Sequence, residues 1–169
     1  RGHGAQAGVK LVVGVCALLM AVLGLVALLD LLFGGIGGAV NALLGLRIEW
    51  SLKGLMGVLF YPFTLLIGVP PADAAGIARI IGERIIVTEV TAYQDLALLM
   101  ERGGLVHTRS AVICAYALCG FAHMPSLAIF VGGISALVPG RTRDLSRLGM
   151  RALFAAVLAC LMTAAVAGT

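Results

Sequence analysis

Residues 110–140, SAVICAYALCGFAHMPSLAIFVGGISALVPG, contain no Asp, Glu, Lys or Arg, yet they hold Gly120 and Pro125 with His123 between them. This combination constrains the fold more than any other feature. A run this apolar belongs in lipid, where backbone polar groups must be satisfied within the protein, which favours helix. Pro125 removes a donor and clashes with the preceding turn, freeing carbonyls around residues 121 and 122. The expectation is a helix broken near its middle within residues 110–140.

The rest of the chain agrees with a membrane setting. The 169 residues are 61% hydrophobic and 12% charged, and the mean hydropathy is +1.09, outside the range of ordinary soluble domains. Residues 11–29 are uncharged, and a helix over 8–32 at ~1.5 Å per residue is long enough to cross ~30 Å of hydrocarbon. A last span is expected from about Ala152 to Ala167. The loop before it carries Arg141, Arg143, Arg147 and Arg151, so the positive-inside rule places that loop in the cytoplasm. No n-region or cleavage site precedes Lys10, so no signal peptide is expected.

The remaining segments are less regular. Residues 33–46, FGGIGGAVNALLGL, hold five glycines and read as a loosely ordered connection rather than a stable helix. Residues 51–67 have a helical pattern with Arg47, Glu49, Trp50, Lys53 and Tyr61 at positions suited to headgroups, which favours an interfacial amphipathic helix. Residues 72–101 have charged ends and a polar centre, VTEVTAY. As one straight helix they would measure about 45 Å and string Glu83, Arg84, Glu89 and Asp95 across lipid. A helical hairpin entering from one side, with its tip near Thr88 and Glu89, avoids that cost.

The net charge of +4 sits in short clusters between apolar runs, unlike the continuous basic face of a nucleic-acid-binding protein. Cys16, Cys114, Cys119 and Cys160 lie in apolar segments without zinc-site spacing and read as packing residues. No metal or cofactor site is expected. No Ser, His and Asp set suggests a nucleophile with its base, so the chain does not read as an enzyme.

Three strings carry a family resemblance over nearly the whole chain. TEVTAYQDLALL resembles the NEFVAYxDL motif of concentrative nucleoside transporters, CGFAHMPSLAI is similar to their CGFANFSSIGI, and PGRTRDLSRLGMRAL is similar to PxRRxDLxxLGxRAL. GVPPADA and the spacing between the motifs match as well. The resemblance implies the C-terminal part of a cation-coupled nucleoside symporter working by alternating access in the plasma membrane, in bacteria the inner membrane. The implied fold is all-α and integral to the membrane: half of an inverted-repeat transporter, assembled as a homotrimer. Residues 1–32 would be a scaffold helix, 33–70 the connection and interfacial helix, and 71–169 part of the transport domain, with the second re-entrant hairpin at 72–101, the second broken helix at 108–138 and the last span at 144–167. The missing N-terminal half would supply base recognition and the Na⁺ or H⁺ site.

By the same resemblance, Glu89 binds ribose hydroxyls, His123 and Ser126 face the sugar, and Phe121 lies near the base. A carboxylate suits such a clamp because it accepts two hydroxyl hydrogen bonds with charge assistance. Tyr93, one turn after Glu89, either orients that carboxylate or packs. His123 replaces the family's Asn, and Thr88, Val90, Met124 and Pro125 also depart from its pattern, changes that bear on the coupling ion and on sugar specificity. Two alternatives stand beside this reading: a transporter-derived membrane module that no longer transports, and a transporter of a nucleobase or another small polar solute.

Overall fold

The computed structural model describes residues 2–44 and 51–169. Among them the chain forms α1 (Gly2–Leu44), α2 (Leu52–Leu66), α3 (Pro71–Ile86), α4 (Glu89–Glu101), α5 (Thr108–Leu118), α6 (Met124–Leu137), a 3₁₀ turn (Pro139–Arg141) and α7 (Thr142–Ala167). All regular structure in these residues is helical. Two stretches are long and apolar enough to cross a membrane: Val12–Gly35, with mean hydropathy 2.9, and Thr142–Ala167, with mean hydropathy 2.0.

One expectation is corrected. The glycine-rich stretch from residue 33 continues α1 without interruption to Leu44. Helix penalties for Gly, up to ~1 kcal/mol each, are measured in water, where an unwound backbone can hydrogen-bond to solvent. Beside lipid that escape is absent, and an apolar run stays helical despite its glycines. The proposed headgroup anchors Arg47, Glu49 and Trp50 lie outside the described residues.

Local chemistry sets the other boundaries. Ser51 caps α2, its hydroxyl accepting from Gly54 N at 2.9 Å. The GVPP stop works through Gly68, whose φ of +93° suits only glycine, and Pro71 then opens α3 where no N–H is needed. Between α3 and α4 only Val87 and Thr88 are non-helical, and Thr88 is extended at φ −151°, ψ 160°.

Packing depends on small residues. Ala74, Ala78 and Gly82 recur every four residues on α3, and all are buried. At Gly82 the α2 backbone comes so close that an added Cβ would stand 2.7 Å from Met56 Cβ and 2.8 Å from Met56 O. Helices in lipid associate through this kind of close packing, because apolar burial gives little drive there. Gly82→Leu is therefore expected to destabilise the complete protein by about 1–3 kcal/mol, seen as a lower thermal midpoint in detergent; an unchanged midpoint would contradict the α2–α3 contact.

The core joins Ile77 and Ile81 of α3, Ala92 and Leu96 of α4, Ile113, Ala117 and Leu118 of α5, and Leu161 and Ala164 of α7. Helix α1 stands apart, with none of its apolar span buried. It lies against α6 and the start of α2. Asp30, the one charged residue of that span, meets α2 directly: Leu52 N donates to its Oδ1 at 2.7 Å. An acid in a lipid-facing helix is costly unless partnered, and the positive end of α2 provides the partner.

Candidate functional site

Two helix starts converge in this fold. Glu89 is the first residue of α4, and His123 is the N-cap of α6. Their side chains meet with His123 Nε2 2.5 Å from Glu89 Oε2. Both therefore sit where N-terminal backbone N–H groups and helix dipoles favour negative charge and hydrogen-bond acceptors.

The break in residues 119–123 creates this meeting. Helix α5 ends at Leu118, and Gly120 turns the chain with φ +132°. A Cβ there would lie 3.0 Å from Cys160 Sγ, so both the backbone and the space call for glycine. Pro125 falls in the first turn of α6, where its missing donor costs nothing. Ser126 Oγ donates to the carbonyls of Phe121 at 2.9 Å and His123 at 2.8 Å. The serine thus takes up a carbonyl of the unwound segment ahead of the helix.

His123 is held at one nitrogen and faces Glu89 with the other. Ser126 N donates to its Nδ1 at 3.1 Å, so in the neutral ring the proton sits on Nε2 and points to Glu89. The imidazole does the work of an Asn or Asp cap, with its acceptor nitrogen replacing a side-chain carbonyl. Glu89 Oε2 and His123 Nε2 are each other's close ionic contact and make no hydrogen bond to any other group. His123 is 4% exposed and the Glu89 side chain 23%. Phe121 is 72% exposed, its ring centroid 6.1 Å from that of His123.

The four expected residues thus gather in one place, with differing freedom. Glu89 keeps Oε1, and Phe121 keeps an open face. His123 and Ser126 have their donors committed to holding Glu89 and the break. Tyr93 does not orient Glu89; its hydroxyl donates to Ala115 O at 3.0 Å and ties α4 to α5. Among the described residues no group of three His, Cys, Asp or Glu is placed to hold a metal ion.

This assignment has a direct test in stability. His123→Asn keeps a cap and is expected to stay within about 1 kcal/mol of wild type, whereas His123→Leu strands Ser126 N and Glu89 and is expected to cost about 1–3 kcal/mol. Thermal midpoints of the complete protein measure both; equal midpoints would remove His123 from the cap.

Sequence reading missed several supports. Arg84 of α3 reaches the break, donating to Ala117 O and to Gly120 O at 3.0 Å. Asp73 fastens α3 to the chain before α5. It accepts from Val106 N at 2.8 Å, His107 N at 3.1 Å and Ser110 Oγ at 2.6 Å. Lys53 of α2 pairs with Glu83 of α3 and lies 3.6 Å from Asp95 of α4. Charges inside apolar segments were the available signal; their partners, 30 to 42 residues away, were not.

Comparison with known proteins gives consistent results. A family profile described as "Na+ dependent nucleoside transporter C-terminus" matches residues 1–168. An "Uncharacterized transporter" of Haemophilus influenzae is 39% identical over 98% of this chain, which covers 39% of that protein. Human "Solute carrier family 28 member 3" is 32% identical over 98% of this chain and 25% of its own length. Among solved structures, a variant of CNTnw in an intermediate state superposes with a TM-score of 0.88 at 33% identity, covering 99% of this chain and 40% of that one. The chain thus spans two fifths or less of the length of these relatives.

Proposed function

Because the chain belongs to the Na⁺-dependent nucleoside transporter family, as part of its C-terminal region, we propose that it forms the sugar-binding part of a cation-coupled nucleoside symporter. The complete protein carries nucleosides into the cell by alternating access. The observation that supports this most is the meeting of Glu89 and His123, 2.5 Å apart at two helix starts, beside the exposed Phe121. Such discontinuous helices with their N-termini turned to a common point are how secondary transporters build a midplane site.

In this reading α3 and α4 form a re-entrant hairpin with its tip at Thr88, and α5 and α6 are the halves of a broken membrane helix. Helix α2 lies at the interface, and α7 runs outward from a cytoplasmic Arg141–Arg151 loop. Glu89 Oε1 accepts from ribose hydroxyls, and Phe121 offers its face to the base. His123 and Ser126 act mainly behind them: one fixes the Glu89 carboxylate by a charge-assisted bond, the other fixes the unwound backbone. The absent half contributes the rest of base recognition and the coupling ion, Na⁺ by family and H⁺ as the other possibility. The assembly is a homotrimer in the plasma membrane, with α1 as a scaffold helix.

The test is uptake of radiolabelled uridine by nucleoside-transport-deficient cells expressing the complete reading frame, with Na⁺ replaced by choline at two pH values. Saturable uptake that falls without Na⁺ is expected; uptake that instead follows pH would name H⁺ as the driver. No uptake despite membrane expression would contradict a nucleoside symporter.

A further inference from the structure

Arg84 is 2% exposed and lies deep among apolar residues of α3, α5 and α7. No carboxylate among the described residues pairs with it, although a buried charge without a counter-charge is among the costliest groups a protein can hold. Its neighbours are backbone carbonyls. Nη1 donates to Ala117 O in the last turn of α5 and Nη2 to Gly120 O at 3.0 Å. Nη2 also lies 3.3 Å from Cys160 Sγ, and that thiol donates onward to Cys119 O at 3.3 Å.

These carbonyls face inward because the helix stops. Ala117 O has lost its helical donor, and the residue at Gly120 is turned by a positive φ that only glycine adopts freely. Two helices also end here, since Arg84 lies in the last turn of α3 while it contacts the last turn of α5. Each end presents partial negative charge. Unwound carbonyls gathered at half-helix C-termini are the chemistry by which transporters hold a Na⁺ ion. Here the positive charge inside that cage is covalently attached.

We propose that Arg84 is a tethered cation occupying a carbonyl cage at the helix break, so that this part of the transporter takes up no mobile cation and its break stays locked whether or not Na⁺ is present. Vacating the cage turns it into a monovalent-cation site built from Ala117 O, Gly120 O and a short side chain at position 84. The binding claim stands apart from the transport reading, and only the uptake arm rests on that reading.

The test uses the complete protein purified in detergent, as wild type, Arg84→Ser and Arg84→Lys. Thermal midpoints are followed as NaCl replaces choline chloride at constant ionic strength. Arg84→Ser is expected to start below wild type and to gain several degrees more from Na⁺ than wild type does, because a ligand that binds only the folded state raises stability with concentration. Arg84→Lys, whose ammonium still fills the cage, is expected to show the wild-type Na⁺ response. Equal Na⁺ responses in all three proteins would overturn the proposal. If Arg84→Ser does not fold, Arg84→Met and Arg84→Lys decide it: uptake retained by Lys and lost by Met supports a required charge, and equal uptake refutes it. In uptake assays, Arg84→Ser is expected to need about tenfold more Na⁺ for half-maximal rate, with a steeper Na⁺ dependence. A wild type that carries no uridine would refute the transport reading while leaving the midpoint comparison intact.

Discussion

Glu89→Gln in the complete protein is expected to lower uptake of sub-saturating uridine by about 30- to 150-fold while expression and assembly stay normal. The substitution preserves shape, and a Gln carbonyl can still accept from His123 Nε2, now 2.5 Å from Glu89 Oε2. What it removes is charge. A hydrogen bond to a charged acceptor contributes about 1.5–3 kcal/mol against 0.5–1.5 for a neutral one, so losing charge assistance on two hydroxyls amounts to about 2–3 kcal/mol. At 1.4 kcal/mol per tenfold, that is the stated range. Size-exclusion profiles and thermal midpoints matching wild type would show that the loss lies in the site. Normal uptake by this variant would remove Glu89 from substrate binding.

Asp73→Ala is expected to cause the largest loss of stability, about 3–5 kcal/mol. The carboxylate is 2% exposed and collects Val106 N, His107 N and Ser110 Oγ, with His107 Nδ1 also at 3.1 Å. These groups belong to the chain entering α5 and to its first turn, so Asp73 clamps the base of the α3–α4 pair to the start of the next helix. Truncation leaves several donors facing a small apolar void. Limited proteolysis gives a local readout: cleavage by trypsin after Arg102 and Arg109, which flank the clamp, should accelerate well before global unfolding. Asp73→Asn retains one acceptor oxygen and should fall between the two. A wild-type midpoint and cleavage rate for Asp73→Ala would contradict the clamp.

Much of this architecture is legible without coordinates, for identifiable reasons. The spans at Val12–Gly35 and Thr142–Ala167 follow from long apolar runs, uncharged over 11–29 and from residue 152 onward, and the stop before α3 follows from GVPP, whose Gly68 and Pro71 act locally. The break near Gly120 and Pro125 is written in two residues with strong backbone preferences. Continuation of α1 through its glycines to Leu44 was misread because propensities from water were applied beside lipid. The grouping of Glu89, Phe121, His123 and Ser126, which the proposed site rests on, is legible because they lie in two motifs. Their division of labour is not: an imidazole can contact a sugar or cap a helix, and only the 3.1 Å bond from Ser126 N distinguishes these. The roles of Asp30, Asp73 and Arg84 are not legible because each acts through a partner from a distant segment, Leu52, Val106 and Gly120 respectively. A linear pattern carries the charge and omits the partner.

Setting uridine against its 2′-deoxy and 3′-deoxy forms in uptake competition, in wild-type and Glu89→Gln protein, tests the sugar clamp most directly. Removing a hydroxyl that Glu89 binds should weaken competition in wild type by about 10- to 100-fold. In Glu89→Gln the same removal should matter less than about threefold, because the two changes delete one interaction. Equal penalties in both proteins would show that the ribose is held elsewhere, and the assignment of Glu89 would fail.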